Sequence, residues 1–153
     1  MAIFPLFKAK PFFSAAEQEQ IVEAIRRAEQ QTSGEVRVFV ESKNPMVDPV
    51  DRAREIFFKL KMEKTQHRNG VLLYVAHKHK ELALFGDEGI YTVTGKEYWQ
   101  AAVEKIIENF NHQHLLTGIT ACIEDIGNTL KEKFPYEKAT DKNELPDNIV
   151  FGK

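Results

Sequence analysis

Oxygen-bearing side chains that could hold a hard divalent cation stand beside glycine-containing turns at three points of the sequence. They are Glu35, Asn69, Asp87 and Glu88. Carboxylate and amide oxygens are the ligands that Ca²⁺ and Mg²⁺ prefer, and nearby glycines let backbone carbonyls approach an ion closely. These residues predict a calcium or magnesium site, provided that the fold brings them together. Since Asp87 and Glu88 lack the alternating acids of an EF-hand loop, the alternative is that both are turn residues.

Arg68 and Gly70, on either side of Asn69, are the candidates for contact with a phosphate group. Phosphoryl transfer needs cations or amide donors around the phosphate, together with a nucleophile or an activated water. The sequence contains no P-loop, no Cys-x5-Arg loop and no DxDx(T/V) signature. A phosphatase built on it therefore has to be metal-assisted, and its catalytic residues stay unassigned. The alternative role of Arg68 is that of a surface partner for an acid.

A second group of acids follows the first predicted strand and consists of Glu41, Asp48 and Asp51. Ligands of open α/β sheets usually bind beyond the carboxyl ends of the parallel strands, which favours this end of the sheet on topology. Asp48 and Asp51 are equally explained as caps of the next helix. We therefore rank this group as the second-choice site.

The histidines and the cysteine have simpler explanations than metal binding. A transition-metal site can be drawn from two pairs of histidines, but each pair lies in a predicted polar turn, where solvated histidine is ordinary. The pairs are His77 with His79 and His112 with His114. Cys122 falls in mid-helix beside core residues, which indicates a buried and inert thiol.

The composition indicates a single globular domain. The chain has 153 residues, 42% of them apolar, with a formal net charge of -2, so no broad basic surface for nucleic acid is expected. One cysteine excludes an intramolecular disulfide. The apolar start of the chain is interrupted before a signal-peptide core or a membrane span could form, so we expect a cytoplasmic location. The interrupting residues are Pro5, Lys8, Lys10 and Pro11.

The hydrophobic pattern alternates between helix and strand periods. Ser14 and Glu17 form a capping box at the start of the first helix, and Gly34 is expected to end it in a left-handed conformation. The sequence EVRVFVE predicts a strand over 35–41, after which Asp48 or Asp51 begins a helix that runs to about Met62.

The second half of the chain predicts a hairpin followed by helices. The apolar run 70–76 and the segment 81–85 form the hairpin. Two long helices follow, separated near 111–114 and ended by Phe134-Pro135, and the segment 149–151 either adds an edge strand or docks on the domain.

This order of elements predicts an α/β fold, namely a three-layer α/β/α sandwich around a small mixed β-sheet with a parallel β-α-β crossover and a hairpin. Strands joined by the crossover begin at the same end of the sheet, and the hairpin returns the chain to that end. The segments 32–35, 68–70 and 86–89 are therefore expected to converge. We predict an aromatic N-terminal arm over 1–13, the α/β domain over 14–135 and a polar C-terminal tail over 136–153.

In their order and spacing, several segments resemble the TPM-domain family, which was formerly a domain of unknown function and includes a plant thylakoid-lumen protein described as an acid phosphatase. They read TSGEVRVFVE at 32–41, KTQHRNGVLLYVA at 64–76, FGDEGI at 85–90 and YW at 98–99. The ending NELPDNIVFG is similar to that of stand-alone soluble bacterial members. The resemblance implies an α/β/α sandwich and, for some members, bound calcium or magnesium and reported phosphatase activity.

Two functions follow as expectations. The first is a TPM-like domain that binds a divalent cation, Ca or Mg, with weak metal-assisted phosphatase activity. The second is a non-catalytic protein-interaction or stress-related module, whose partner would bind the N-terminal aromatic arm or the tail 143–153. The aromatic residues of the arm, which would otherwise dock on their own domain, are Phe4, Phe7, Phe12 and Phe13.

Overall fold

The computed structural model of the chain describes residues 12–46, 48–108, 111–136 and 149–152. Within these ranges the chain forms five α-helices and four β-strands. The helices are α1 (Ala15–Glu29), α2 (Pro49–Lys59), α3 (Glu88–Thr94), α4 (Lys96–Ile107) and α5 (His112–Lys133), and the strands are β1 (Glu35–Glu41), β2 (Gly70–Ala76), β3 (Glu81–Gly86) and β4 (Val150–Phe151). None of the described helices is both long enough and apolar enough to cross a lipid bilayer.

The sheet has the strand order β3-β2-β1-β4. β1 and β2 are parallel, with Glu35 opposite Gly70, and β3 runs antiparallel to β2. β4 pairs in parallel with β1 at Phe39 and Val40. The predicted crossover and hairpin are confirmed, and the segment 149–151 contributes an edge strand.

Side chains alternate between the two faces of the sheet and build two hydrophobic clusters. On one face, the valines of β1 pack with buried residues of α1, α4 and α5. On the other face, Phe39 and Tyr74 pack with Ile56 and Phe57 of α2. Helices therefore cover both faces of the sheet, and the predicted three-layer architecture is confirmed.

The first helix begins as predicted but ends earlier. The Ser14 hydroxyl accepts a hydrogen bond from the amide of Glu17, and the Glu17 carboxylate accepts one from the amide of Ser14. α1 ends at Glu29, and Gly34 does not have the positive φ expected of it. Packing explains this glycine, because a Cβ atom at position 34 would lie 2.8 Å from Leu130 Cδ1 of α5.

The second helix begins at Asp48, one of the two predicted caps, whose carboxylate accepts a hydrogen bond from the amide of Val50. It ends at Lys59 rather than near Met62. Lys61 has a φ of 58°, and the amides of Lys61 and Met62 donate to the carbonyls of Phe58 and Phe57. This is a Schellman ending formed with lysine in place of the usual glycine.

The helical second half contains one more helix than predicted. Residues 88–94 form the short α3, and Gly95, with a φ of 80°, separates it from α4. α5 starts directly after its cap, Asn111, and stops before Phe134-Pro135 as expected.

The end of α5 is tied to the start of β1. The amide of Ser33 donates to the carbonyl of Phe134 at 2.9 Å, and the Thr32 hydroxyl donates to the carbonyl of Leu130 at 3.1 Å. Thr32 and Pro135 also form an isolated β-bridge. The loop before β1 is therefore held by a helix about 100 residues later in the sequence.

Only part of the predicted arm and tail lies within the described residues. Phe13 is fully buried in the core next to α1, and Phe12 packs against the same cluster. Residues 1–11, with Phe4 and Phe7, lie outside the described residues, as do residues 137–148 and 153 of the tail.

Candidate functional site

The three predicted segments meet at the amino end of β1 and β2. The amide of Glu35 donates to the carbonyl of Asn69 at 3.2 Å, and the amide of Asp87 donates to the carbonyl of Gly70 at 2.9 Å. The side-chain amide of Asn69 donates to the hydroxyl of Ser33 at 3.3 Å. The expected convergence of the segments 32–35, 68–70 and 86–89 is confirmed by these contacts.

Gly89 lets the loop that carries Arg68 lie directly against α3. Its amide donates to the Arg68 carbonyl at 3.0 Å. A Cβ atom at position 89 would lie 2.4 Å from the carbonyl oxygen of His67 and 2.7 Å from that of Arg68. Arg68 itself has a φ of 51°, in the left-handed region that non-glycine residues seldom adopt. This backbone geometry directs the Arg68 side chain to the start of α3.

Arg68 and Asp87 form a bidentate ion pair. Arg68 Nε lies 2.7 Å from Asp87 Oδ2, and Arg68 Nη2 lies 2.8 Å from Asp87 Oδ1. Arg68 Nη1 is 3.1 Å from a carboxylate oxygen of Glu88. Asp87 is buried and also caps α3, since Oδ1 accepts the amide of Glu88 at 2.8 Å. The predicted ligands Asp87 and Glu88 are therefore held by the protein's own cation.

A third carboxylate acts on Arg68. Hydrogen bonding to Asp87 and the negative charges of Asp87, Glu88 and Glu63 raise the pKa of Arg68 above its ordinary value, against a smaller effect of burial. We call Glu63, Arg68, Asn69, Asp87 and Glu88 the Arg68 cluster. Sequence reasoning missed Glu63, although an acid five residues before Arg68 in a polar turn was the available signal.

Two oxygen atoms of the Arg68 cluster are buried without a hydrogen-bond donor among the described residues. They are Oδ1 of Asn69 and Oε1 of Glu63. Asn69 is fully buried, and its amide nitrogen is already bonded to Ser33. Buried acceptors without a donor are rare and costly, so they mark a place where a proton donor or a cation would stabilise the protein.

The other candidate residues at this end are buried or already hydrogen-bonded within the protein. Glu35 is buried at the start of β1, opposite Gly70. The Gly70 carbonyl is used by the Asp87 amide. All three nitrogens of the Arg68 guanidinium donate to the carboxylates of Asp87 and Glu88. These donors can contact a phosphate only if Arg68 first releases one of the carboxylates.

The donor set fits Mg²⁺ or Ca²⁺ better than a transition metal. Across the described ranges, no three residues of the types His, Cys, Asp and Glu are grouped as a metal site. Mg²⁺ needs only one or two carboxylates because it keeps several waters, and both ions accept amide oxygens. Asp87, Glu88 and the Asn69 amide oxygen are donors of the types that these ions accept, and Arg68 would have to release Asp87 before a cation could reach it.

The opposite end of the sheet carries a second buried ion pair. Glu41 Oε2 accepts from Arg52 Nε at 2.8 Å, and Glu41 Oε1 accepts from Arg52 Nη2 at 2.9 Å. The Tyr74 hydroxyl donates to Glu41 Oε2. We call Glu41, Arg52 and Tyr74 the Glu41 cluster. Of the second-choice ligands, Glu41 is thus satisfied internally, Asp48 caps α2, and Asp51 lies exposed in its first turn.

The pKa values of Glu41 and Tyr74 are shifted because the two side chains are buried and hydrogen-bonded to each other. Burial by itself would raise the pKa of Glu41, but the hydrogen bonds from Arg52 and Tyr74 outweigh it and hold this pKa below its ordinary value. Burial and the hydrogen bond to Glu41 raise the pKa of Tyr74. The cluster therefore keeps Glu41 ionised and Tyr74 protonated at neutral pH.

Cys122 is buried as the sequence favoured, whereas His77 is half-buried rather than solvated and His114 lies in the first turn of α5 rather than in a polar turn. The ring of His77 stacks on Phe12 at 4.2 Å, and Nδ1 of His79 accepts the amide of Asn44 at 3.0 Å. Burial raises the pKa of Cys122 to about 12, so its thiol stays protonated. The side chain of His112 lies outside the described residues.

Comparisons with known proteins agree with this fold. The family model of the TPM domain matches residues 7–129. The solution structure of the BA42 protein from the psychrophilic bacterium Bizionia argentinensis is 39% identical, covers 95% of this chain and 99% of its own, and has a TM-score of 0.84. The N-terminal domain of the cg2496 protein from Corynebacterium glutamicum is 12% identical over 98% of this chain and 92% of its own, with a TM-score of 0.54, and shows the fold alone. No curated protein matches the sequence.

Proposed function

The chain belongs to the TPM domain family, and from this premise we propose that it is a divalent-cation-binding domain whose site is the Arg68 cluster. The ion is Mg²⁺ or Ca²⁺, and its ligands include Asp87, Glu88 and the amide oxygen of Asn69. In the ion-free protein, Arg68 neutralises Asp87 and thus acts as an internal competitor for the cation.

The observation that carries the proposal is the pair of buried acceptor oxygens without a described donor, Asn69 Oδ1 and Glu63 Oε1. They lie in the loop that holds Arg68, whose guanidinium is already committed to Asp87 and Glu88. Three carboxylates act on this one guanidinium, so the cluster has an excess of negative charge. An oxygen-liganded cation removes both the charge excess and the unsatisfied oxygens.

The same site supports metal-assisted phosphatase activity as the finer function. A bound divalent cation supplies Lewis-acid polarisation of a phosphoryl oxygen. Arg68 has the planar fork of donors that suits a phosphate, and release of Asp87 would make those donors available. Arg68 would then donate hydrogen bonds to Asp87 in the ion-free protein and to the phosphate when the cation is bound.

Calorimetric titration of the chelator-stripped full chain with Mg²⁺ and with Ca²⁺ tests cation binding. We expect saturable binding that Asp87→Asn weakens by about tenfold or more. Glu88→Gln, at a side chain that is 71% exposed, should weaken it as well. Arg68→Gln should tighten binding, because it removes the competitor. Glu41→Gln, at the opposite end of the sheet, is the matched control and should leave the affinity unchanged.

Failure to bind either ion in both the wild-type chain and Arg68→Gln would overturn the cation site and favour a non-catalytic interaction module. Loss of binding in Glu41→Gln alone, with circular dichroism showing that the variant is folded, would move the site to the other end of the sheet. Phosphate release from an aryl phosphate, followed with and without the ion, tests the finer function. Activity that survives both Asp87→Asn and Glu88→Gln would assign the chemistry elsewhere.

A further inference from the structure

The loop that follows β1 is fastened to the turn between β2 and β3. The amide of Lys78 donates to the carbonyl of Ser42 at 2.8 Å. The turn also contributes a side chain, because Nδ1 of His79 accepts the backbone amide of Asn44 at 3.0 Å. Residues 42–46 are therefore held at the carboxyl end of the parallel strands partly by a histidine ring.

Asn44 is at the centre of these contacts. It is only 6% exposed, although it is polar. Its side-chain nitrogen donates to Oε1 of Glu81 at 3.0 Å, and its side-chain oxygen accepts the amide of Met46 at 2.9 Å. A buried polar residue loses stabilisation as soon as one of its hydrogen-bond partners is withdrawn. The position of the loop therefore depends on His79 and Glu81.

The hydrogen bond from Asn44 requires an unprotonated Nδ1 on His79. A backbone amide can donate only to a ring nitrogen that carries a lone pair, so the proton of the neutral ring is on Nε2. A proton added at Nδ1 turns this acceptor into a donor and leaves two N–H groups facing each other. Since histidine is the side chain that ordinarily changes its charge between about pH 5 and pH 8, mild acid is enough to break this bond.

Glu81 offers the protonated ring a new partner. Its Oε1 lies 3.9 Å from Nδ1 of His79, whose side chain is 42% exposed. The same oxygen accepts the side-chain nitrogen of Asn44. A charged ring binds a carboxylate more strongly than a neutral amide does, so the two donors compete for one oxygen atom. A single proton on His79 thus acts on two of the hydrogen bonds that hold Asn44.

The remaining charged and titratable groups of the turn and the loop act differently from Glu81. The positive charges next to His79 and Asn44 in the chain oppose protonation, and they are Lys43, Lys78 and Lys80. The second histidine of the turn, His77, stacks on Phe12. Burial and the charge of Lys78 lower the pKa of His77. His77 therefore takes up its proton at a lower pH than a solvated histidine does, and the two titrations can be followed separately.

We propose that His79 is a pH switch, whose neutral ring holds residues 42–46 on the turn between β2 and β3 and whose protonation releases them. The loop leads from Glu41 towards Asp48, the cap of α2. Acid pH thereby loosens the end of the sheet at which open α/β folds usually bind their ligands. This end lies opposite the Arg68 cluster, so the switch does not depend on cation binding there.

Nuclear magnetic resonance of the ¹⁵N-labelled full chain tests the switch, with a chelator present and the pH lowered from about 8 to about 5. Both amide resonances of Asn44, from the backbone and the side chain, should shift with the same midpoint as the ring of His79. After correction for the intrinsic pH dependence of exchange, protection of the Asn44 backbone amide should fall by about tenfold, as expected for the loss of one hydrogen bond. The amide of Leu73, in the central strand β2, should stay protected.

Two variants separate the two halves of the switch. His79→Gln keeps an acceptor but has no titratable ring, so protection of Asn44 should become independent of pH. Glu81→Gln removes the charge that attracts the protonated ring, so the Asn44 side-chain amide should respond less while the backbone amide still responds. His114→Gln, at an exposed histidine of α5, is the matched control and should change neither response.

Three results would overturn the proposal. The first is constant protection of Asn44 over this pH range in the wild-type chain. The second is a fall that persists in His79→Gln, which would assign the response to His77. The third is an equal fall at Leu73, which would mean that acid unfolds the whole domain rather than the loop.

Discussion

At each end of the sheet, an arginine donates two hydrogen bonds to a buried carboxylate. The two ends differ in whether the neighbouring buried oxygen atoms also have hydrogen-bond donors. In the Glu41 cluster, Arg52 is 14% exposed, and Tyr74 supplies a further donor to Glu41. In the Arg68 cluster, Arg68 is 37% exposed, and two neighbouring buried oxygens lack a described donor.

The difference separates a structural ion pair from one that can be exchanged. A buried pair with all its acceptors used gains nothing from an incoming ion, and breaking it leaves a charge without compensation. A pair whose arginine is 37% exposed, with extra acids and unused oxygens around it, can exchange that arginine for a cation more easily. We therefore expect stability to depend on the Glu41 cluster and ligand binding to depend on the Arg68 cluster.

The largest effect is expected at the Glu41 cluster. Arg52→Met removes the counter-ion of a carboxylate that is 4% exposed, and should lower the free energy of unfolding by about 3 kcal/mol. Urea denaturation at neutral pH measures this change. Arg54→Met, on the exposed side of the same helix, is the control and should have little effect. A loss in Arg52→Met no larger than in Arg54→Met would contradict a structural role for the cluster.

A smaller loss is expected where the loop of Arg68 meets α3. Gly89→Ala places a methyl group 2.4 Å from a backbone carbonyl oxygen and should cost about 2 kcal/mol. Gly95→Ala is the comparison, because no atom lies within 4 Å of its Cβ position. Only the backbone opposes this change, with φ 80° and ψ 163° in a region that is essentially confined to glycine, at about 1 to 3 kcal/mol. Urea unfolding of the two variants gives the free energy that each has lost. A greater loss in Gly95→Ala would mean that the loop of His67 and Arg68 moves away from the added methyl group at little cost. Gly89→Ala should also weaken cation binding if the loop positions the site.

The loss of stability at acid pH should depend on the protonation of Glu41. Its pKa is lowered by folding, so its stabilising contribution is complete above the unfolded-state pKa of about 4.3 and disappears as the pH falls through the lower pKa of the folded state. Urea unfolding at a series of pH values below about 5 should show a steeper loss in the wild type than in Glu41→Gln. Parallel curves would mean that Glu41 is not kept ionised by its partners.

The smallest change in stability is expected for Arg68→Gln. The Asp87 carboxylate is as buried as that of Glu41, at 3% exposed, but the Arg68 side chain is 37% exposed. Water can therefore take the place of the guanidinium beside Asp87, which also keeps the hydrogen bond from the Glu88 amide. The loss should therefore be clearly smaller than in Arg52→Met under the same denaturation conditions. A loss of equal size would erase the distinction between the two ends of the sheet and make the Arg68 cluster a second structural pair.

The sequence predicted those features that depend on local pattern. The capping residues Ser14 and Asp48, the strand over 35–41 and the stop at Phe134-Pro135 are local signals, and all four are present. Because two parallel strands and a hairpin bring defined segments together, the meeting of Asn69 and Asp87 at one end of the sheet followed from topology.

Other features depend on contacts that a local pattern does not contain. Lys61 and Arg68 adopt left-handed backbone conformations without being glycine, so the loop that brings the charge of Glu63 to act on Arg68 could not be anticipated. Gly34 was expected to serve a turn, yet it is small because Leu130 packs against it from α5. The pairing of Glu41 with Arg52 likewise joins a strand end to the next helix. Whether the site binds an ion and where the protein resides in the cell both stay predictions.

The hydrogen bond between Ser33 and Phe134 also has a consequence for synthesis of the chain. The loop before β1 leaves the ribosome long before α5 has been made. Its hydrogen-bond partner, the carbonyl of Phe134, lies about 100 residues later in the chain. Until that partner emerges, the start of β1 lacks the support that holds it beside Asn69. Ligand binding at the Arg68 cluster should therefore be absent from nascent chains that end before about residue 135 and appear only when the last helix has docked.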